Sequence, residues 1–154
     1  LGVELVSFDE LLSHSDMLFI HAPLTDETYH IFNSDAFRRM KKTAILVNVS
    51  RGPIVDNAAL NQALEHGEIQ KAAFDVFEEE PLPTNSPLLS QPHLLATPHN
   101  AYYGKEAIDN VNILISTIMA DALIAHKLYQ KHLRNPAVLE KLDGYTLTDE
   151  EIPL

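Results

Sequence analysis

The stretch VNVSRGPIVD at residues 47–56 constrains the fold most. Small and apolar residues at 44–47 run into Asn48, and the chain then turns abruptly polar. A short apolar run bounded by turn residues is the signature of a buried strand. Ser50-Arg51-Gly52-Pro53 leaves the carboxyl end of that strand, and Gly with Pro makes the departure a loop. Asp56 or Asn57 then caps a helix, AALNQALEHG, which stops at Gly67. Arg51 therefore sits where open α/β sheets bind ligands, beyond the carboxyl ends of their strands. The plain alternative is a surface arginine in an ion pair.

The same alternation recurs along the chain. Ser7 and Glu10 fit a capping box that opens a short helix through Leu12. Residues 17–20 form an apolar run, the first strand, and His21-Ala22-Pro23-Leu24 leads from it into the polar loop Thr25-Asp26-Glu27-Thr28. Ser34 is placed as the cap of a second helix, SDAFRRMKK, with basic residues in its last turn, where they complement the helix dipole. The third strand spans 71–76, and 77–87 is a loop with three carboxylates and three prolines. Residues 94–96 form a fourth strand, closed by Thr97-Pro98-His99. A long helix is predicted from about 104 to 129. Its apolar residues, among them Ile108, Val111, Ile113, Leu114, Ile118, Met119 and Leu123, cover more than one face. Such a helix is expected to lie between two bodies, domains or subunits. The tail after Lys131 is polar and broken by Asn135-Pro136 and Asp143-Gly144.

Apolar strands alternating with helices predict an α/β fold with a parallel sheet covered on both faces. No GxGxxG occurs in these 154 residues. The pattern is that of the second half of a doubly wound, Rossmann-like sheet flanked by helices.

Totals exclude some functions. The net charge of −11 argues against nucleic acid, whose phosphates it would repel. It leaves a small anionic substrate open, because one well-placed arginine dominates locally. Without cysteine there is no disulfide, thiol catalysis or thiolate metal site, and a reducing cytoplasm is the default compartment. No run of 18 apolar residues suggests a membrane span, and LGVELVSFDE does not look like a signal peptide. The eight histidines show no convincing ligand spacing, so no metal is expected; His126 and His132 are expected at the surface.

Three strand ends carry candidate chemistry: Arg51 on one, Asp75 with Glu78, Glu79 and Glu80 on the next, and His99 on the last. Adjacent parallel strands lie about 4.8 Å apart, so these loops come within side-chain reach. An arginine grips a carboxylate through two parallel hydrogen bonds. A histidine exchanges a proton near neutral pH, and a glutamate beside it fixes the imidazole and favours its charged form. The plain alternative makes the three glutamates a solvated acidic turn and His99 a capping residue. A phosphoacceptor role for Asp75 lacks the early paired acids it would need.

HAPLTDET, VNVSRGPIVD, FDVFEEEPLP and TPHNAYY together resemble the signature stretches of the D-isomer-specific 2-hydroxyacid dehydrogenases, in that family's order and spacing. The resemblance covers about residues 1–129 and implies the later part of an NAD-binding domain over 1–130. Residues 131–154 would be a return segment toward a substrate domain. It implies a catalytic set of Arg51 for the substrate carboxylate, His99 as acid/base and Glu80 as its partner. It implies that Asp75 holds the nicotinamide carboxamide. His21, Pro23, Leu24 and Thr28 would lie along the ribose and phosphates of NAD or NADP. Val49 and Ser50, with Arg51 and His99, would line the nicotinamide end. Glu78 and Glu79 match no role and are expected to be solvated.

The implied reaction is hydride transfer between NAD(P) and a D-2-hydroxy acid or 2-oxo acid. The substrate stays open, because Asn100 and Tyr102-Tyr103 lie on the substrate side and vary among family branches. The glycine-rich loop and the residue that tells NAD from NADP fall outside this stretch. It therefore resembles a C-terminal fragment of an oxidoreductase, expected to be inactive by itself. Partners implied are the small acid substrate and further copies, a homodimer or larger, with no nucleic acid and no membrane. The alternative is a non-catalytic, corepressor-type interaction protein that keeps the fold.

Overall fold

The computed structural model describes residues 2–152. They form two compact units, Leu1–Ala101 and Tyr102–Leu154.

In the first unit four strands form one sheet: β1 (Met17–Ile20), β2 (Ile45–Asn48), β3 (Lys71–Phe74) and β4 (Leu94–Ala96), in the order β1-β2-β3-β4. All three pairings are parallel, as the apolar runs predict. Their register is level at the carboxyl end. Ile20 pairs with Asn48, Asn48 with Phe74, and Phe74 with Ala96. Every loop that follows a strand therefore leaves from one edge of the sheet.

Three helices connect the strands: α1 (Phe8–His14) before β1, α2 (Ser34–Arg39) between β1 and β2, and α3 (Asn57–Glu65) between β2 and β3. The α1 capping box is present, with Glu10 N–H on the Ser7 side chain and Ser7 N–H on the Glu10 carboxylate. α2 is capped by Asn33 and not by Ser34, because the Asn33 Oδ1 reaches two amides at once, Asp35 N at 2.9 Å and Ala36 N at 3.1 Å. Asp56 caps α3 through Ala59 N. Gly67 follows its end at φ 67°, a left-handed turn that glycine adopts without a Cβ penalty. β3 stops at Phe74, two residues earlier than the apolar run suggests, and Asp75 and Val76 stay buried in the loop.

Leu18, Ile20, Leu46, Ala72 and Phe74 point into one core with Leu12, Phe37, Leu60 and Leu64 from the helices. The opposite sheet face is open: Met17 is 55%, Phe19 54% and Leu95 66% exposed. Cover on both faces was the expectation, and this unit covers one. The strands step across the sheet in a single direction. Right-handed crossovers that all step the same way put their helices on the same side.

In the second unit α4 (Lys105–Ile124) ends five residues before the predicted limit of 129. His126, at φ 51°, turns the chain out of the helix. β5 (Lys127–Tyr129) then pairs in parallel with β6 (Thr146–Thr148), so the polar tail carries regular structure that its composition hid. Within the described residues no α4 side chain is buried, and Leu123 and Ile124 are 71% and 84% exposed. By length and composition α4 could cross a membrane, with a mean hydropathy of 1.5. The helix still holds no unbroken run of 18 apolar residues, because Asp109, Asn110, Asn112, Ser116, Thr117 and Asp121 interrupt it.

Candidate active site

Hydrogen bonds tie the four post-strand loops into one edge. Ser50 Oγ donates to Ala22 O (2.5 Å), joining the loops after β2 and β1. Asp75 N–H donates to Asn48 O (3.0 Å), joining those after β3 and β2. His99 N–H donates to Asp75 O (2.9 Å), joining those after β4 and β3.

Asn48 shapes the β2 loop. It is completely buried; its Nδ2 donates to Arg51 O (3.0 Å) and its Oδ1 accepts from Ser50 N (3.0 Å). The sequence signal was present, a polar residue closing an apolar strand ahead of Gly-Pro, and its use as a loop brace was missed. Gly52 explains why the loop after β2 can lie on the loop after β3. A Cβ there would sit 1.9 Å from Phe77 O and 2.0 Å from Phe77 C. Only glycine permits that approach.

Asp75 is 3% exposed and uses both carboxylate oxygens. Oδ1 accepts from Thr97 Oγ1 (2.5 Å) and Asn100 N (2.9 Å), and Oδ2 from Ala101 N (2.8 Å). These are the residues that flank His99, so Asp75 fixes the turn on which His99 rides. His99 sits there in left-handed backbone at φ 51°, sparsely populated for any residue but glycine. Burial pushes the Asp75 carboxyl up. The Thr97 hydroxyl and the Ala101 and Asn100 amides outweigh it and hold the group below the usual carboxylate range.

His99 Nδ1 meets Glu80 Oε2 at 2.6 Å, and Glu80 Oε1 accepts from Phe77 N (2.9 Å). Desolvation raises the Glu80 carboxyl. The His99 ring, the Phe77 amide and the His99 charge more than reverse this, leaving it lowered. Of the imidazole only Nδ1 is engaged among the described residues, so Nε2 is the atom placed to exchange a proton. Asp75, Glu80 and His99 line a cavity of about 600 Å³ together with Phe77, Leu82, Leu89 and Pro98. That is the size of a small-ligand site.

Arg51 lies on the same edge but outside this cavity. Its Nη1 donates to Ser50 O (2.7 Å), and the side chain is exposed. β3 separates its strand from that of His99, two strand spacings or about 10 Å. The fold thus joins Glu80 to His99 directly and carries Arg51 on a strand end that β3 separates from that of His99.

His21, Pro23 and Leu24 are exposed in the loop after β1, and Val49 is 42% exposed after β2. Thr28 braces its own loop, with Oγ1 donating to Pro23 O (2.7 Å) and accepting from Thr25 N (2.8 Å). Glu78, expected to be solvated, is bound twice: Oε1 accepts from Asn57 N (2.5 Å) and Oε2 meets His30 Nε2 (3.0 Å). Nothing in its local sequence announces this, because both partners come from distant segments.

Residues 1–101 match the family described as D-isomer specific 2-hydroxyacid dehydrogenase, NAD binding domain. The chain is 46% identical over 127 residues to a glyoxylate reductase of Korarchaeum cryptofilum, covering 82% of this chain and 37% of that protein. It is 43% identical over 131 residues to a glyoxylate/hydroxypyruvate reductase B of Serratia proteamaculans, covering 80% and 40%. Among solved structures it resembles an NAD-dependent formate dehydrogenase of Staphylococcus aureus in complex with NAD. There the identity is 39%, the TM-score 0.71, and the coverage 78% of this chain and 36% of that one. The chain thus spans about two fifths of the length of these two relatives. These relatives bear enzyme names, and nothing among them supports the corepressor-type alternative.

Proposed function

We propose, since this chain belongs to the D-isomer specific 2-hydroxyacid dehydrogenase family, that the protein carrying it interconverts a D-2-hydroxy acid and a 2-oxo acid. The single observation that carries this reading is the His99–Glu80 contact on the ligand-binding edge of the sheet. Residues 1–130 are then part of the NAD-binding domain, and 131–154 lead toward a substrate domain.

The edge suits a nicotinamide cofactor. Leu24 and Val49 offer exposed apolar surface at two strand ends, and Ser50 and His99 offer polar groups beside it. His21, Pro23, Leu24 and Thr28 would flank the ribose and phosphates. Val49, Ser50, Arg51, Asp75 and His99 would flank the nicotinamide. When bound, NAD or NADP supplies or accepts the hydride.

The chain's own residues supply the rest. Arg51 holds the carboxylate of the acid and polarises its keto group. His99 gives a proton from Nε2 to the keto oxygen in one direction and takes it back in the other. Glu80 holds Nδ1, so the ring keeps one orientation and turns Nε2 to the acid. Glyoxylate and hydroxypyruvate, taken from the relatives' names, are the first acids to try.

We place the protein in the cytoplasm as a homodimer or larger, acting on a small acid and not on nucleic acid or membrane. The cysteine-free, acidic composition suits this, and the bare face of α4 suits packing against protein. The test monitors nicotinamide absorbance with the full-length protein, NADH or NADPH, and glyoxylate, hydroxypyruvate or pyruvate, comparing wild type with H99Q and R51A. Turnover that H99Q abolishes, and for which R51A raises KM, supports the reading. Turnover indifferent to both substitutions, or none with any acid, overturns it.

A further inference from the structure

We propose that Glu78 is a positioning residue that sets the His99–Glu80 geometry, by clamping the loop that carries Glu80 to the first turn of α3 and to His30. The consequence for catalysis rests on the dehydrogenase reading; the positioning itself does not.

Residues 77–80 leave the core at Phe77, which is 6% exposed, and end at Glu80. Two carboxylates of this segment are each held at two points. Glu80 is held by Phe77 N and His99 Nδ1. Glu78 is held by Asn57 N and His30 Nε2. Glu78 thus ties the base of the Glu80 loop to a different part of the fold from the one Glu80 touches.

Its anchors are themselves fixed. Asn57 is the first residue of α3, where an amide lacks a helical partner and the dipole favours an anion. His30 donates its own N–H to Pro53 O (2.9 Å), and its ring stacks on Tyr29 with centroids 4.0 Å apart. Two residues on, Phe32 bridges to Val55. The turn at 52–55 that holds His30 is also the one whose Gly52 presses on Phe77. The charged groups around Glu78 are His30, Asp56 at the α3 cap, and its neighbours Glu79 and Glu80. Only the amide and the imidazole attract it. Without them the acidic neighbours would push its carboxylate outward and the loop with it.

The experiment records the His99 and His30 ring signals by NMR in the full-length protein, with no cofactor or substrate present. Variants are E78A, E78Q and N57P. Proline is tolerated at the first helical position, and Asp56 is already extended, as a residue before proline requires, so N57P removes the amide donor while α3 survives. In E78A and N57P the His99 ring signals are expected to move and broaden as its hold on Glu80 loosens. In E78Q, which keeps an acceptor for the Asn57 amide, the His30 ring signals move and those of His99 stay. His99 signals unchanged in both E78A and N57P, with folding intact, overturn the proposal. A shifted His99 in a protein without turnover supports the positioning and refutes the dehydrogenase reading.

Discussion

His99 Nδ1 rests 2.6 Å from Glu80 Oε2, although the two residues leave different strands and His99 sits in left-handed backbone at φ 51°. Such backbone costs on the order of 1 kcal/mol and persists only where its surroundings enforce it. Here the enforcing group is Asp75, bound to Thr97, Asn100 and Ala101 on both sides of the histidine.

Replacing Glu80 with Gln removes the carboxylate that holds His99 Nδ1. In the reducing direction kcat is expected to fall by about 10²-fold, because the imidazole is no longer held in one orientation. Stability should change by less than about 1 kcal/mol, because the side chains are 49% and 35% exposed and solvent screens the pair. The Glu80 carboxyl is lowered in the fold, so its contribution is complete above the ordinary glutamate value and fades as pH falls through the folded one. Steady-state kinetics and urea unfolding against pH check both halves.

Asp75→Asn should cost about 1–3 kcal/mol, because two amides and a hydroxyl lose a charged acceptor in a buried place. Its lowered carboxyl stabilises the fold fully above the ordinary aspartate value, about 3.9, and that stability is lost as pH falls through the folded value. The variant should therefore show a flatter acid limb in a plot of unfolding free energy against pH. A limb as steep as in the wild type would remove Asp75 from this account.

Gly52→Ala places a methyl 1.9 Å from the Phe77 carbonyl oxygen, against backbone that cannot rotate away. About 2–3 kcal/mol of destabilisation is expected, with the β2 and β3 loops forced apart. Thermal melting reads the stability, and the His99 imidazole resonance reads the displaced loop. A melting temperature equal to that of the wild type would show that the approach is looser than described.

The exposed apolar side chains of α4, among them Ile113, Ile115, Met119 and Leu123, should drive association. Light scattering is expected to give a dimer or larger. Ile115→Glu with Met119→Glu should shift it toward monomer without loss of helical signal. A monodisperse wild-type monomer would count against the proposed assembly.

Much of the fold could be read along the chain. Apolar runs at 17–20, 44–47 and 94–96, each running into turn residues, mark strands, and Ser7 with Glu10 marks a helix start, because those signals are local. The candidate residues Arg51, Asp75 and His99 could be placed for the same reason: each lies just past a strand, and parallel strands deliver their trailing loops to one edge; Glu80 was singled out from Glu78 and Glu79 by the family resemblance. Folding decided the contacts that no local pattern encodes. Long-range backbone approach makes Gly52 indispensable against Phe77, and binds Glu78 to His30 and Asn57. It leaves Arg51 on the Ser50 carbonyl while Glu80 takes the imidazole. One-directional stepping across the sheet leaves its second face open, and a left-handed His126 ends α4 where hydropathy alone would have continued it. Hydropathy and caps act over a few neighbouring residues and so are written in the sequence; the partners of a side chain are fixed only when segments far apart in the chain pack together.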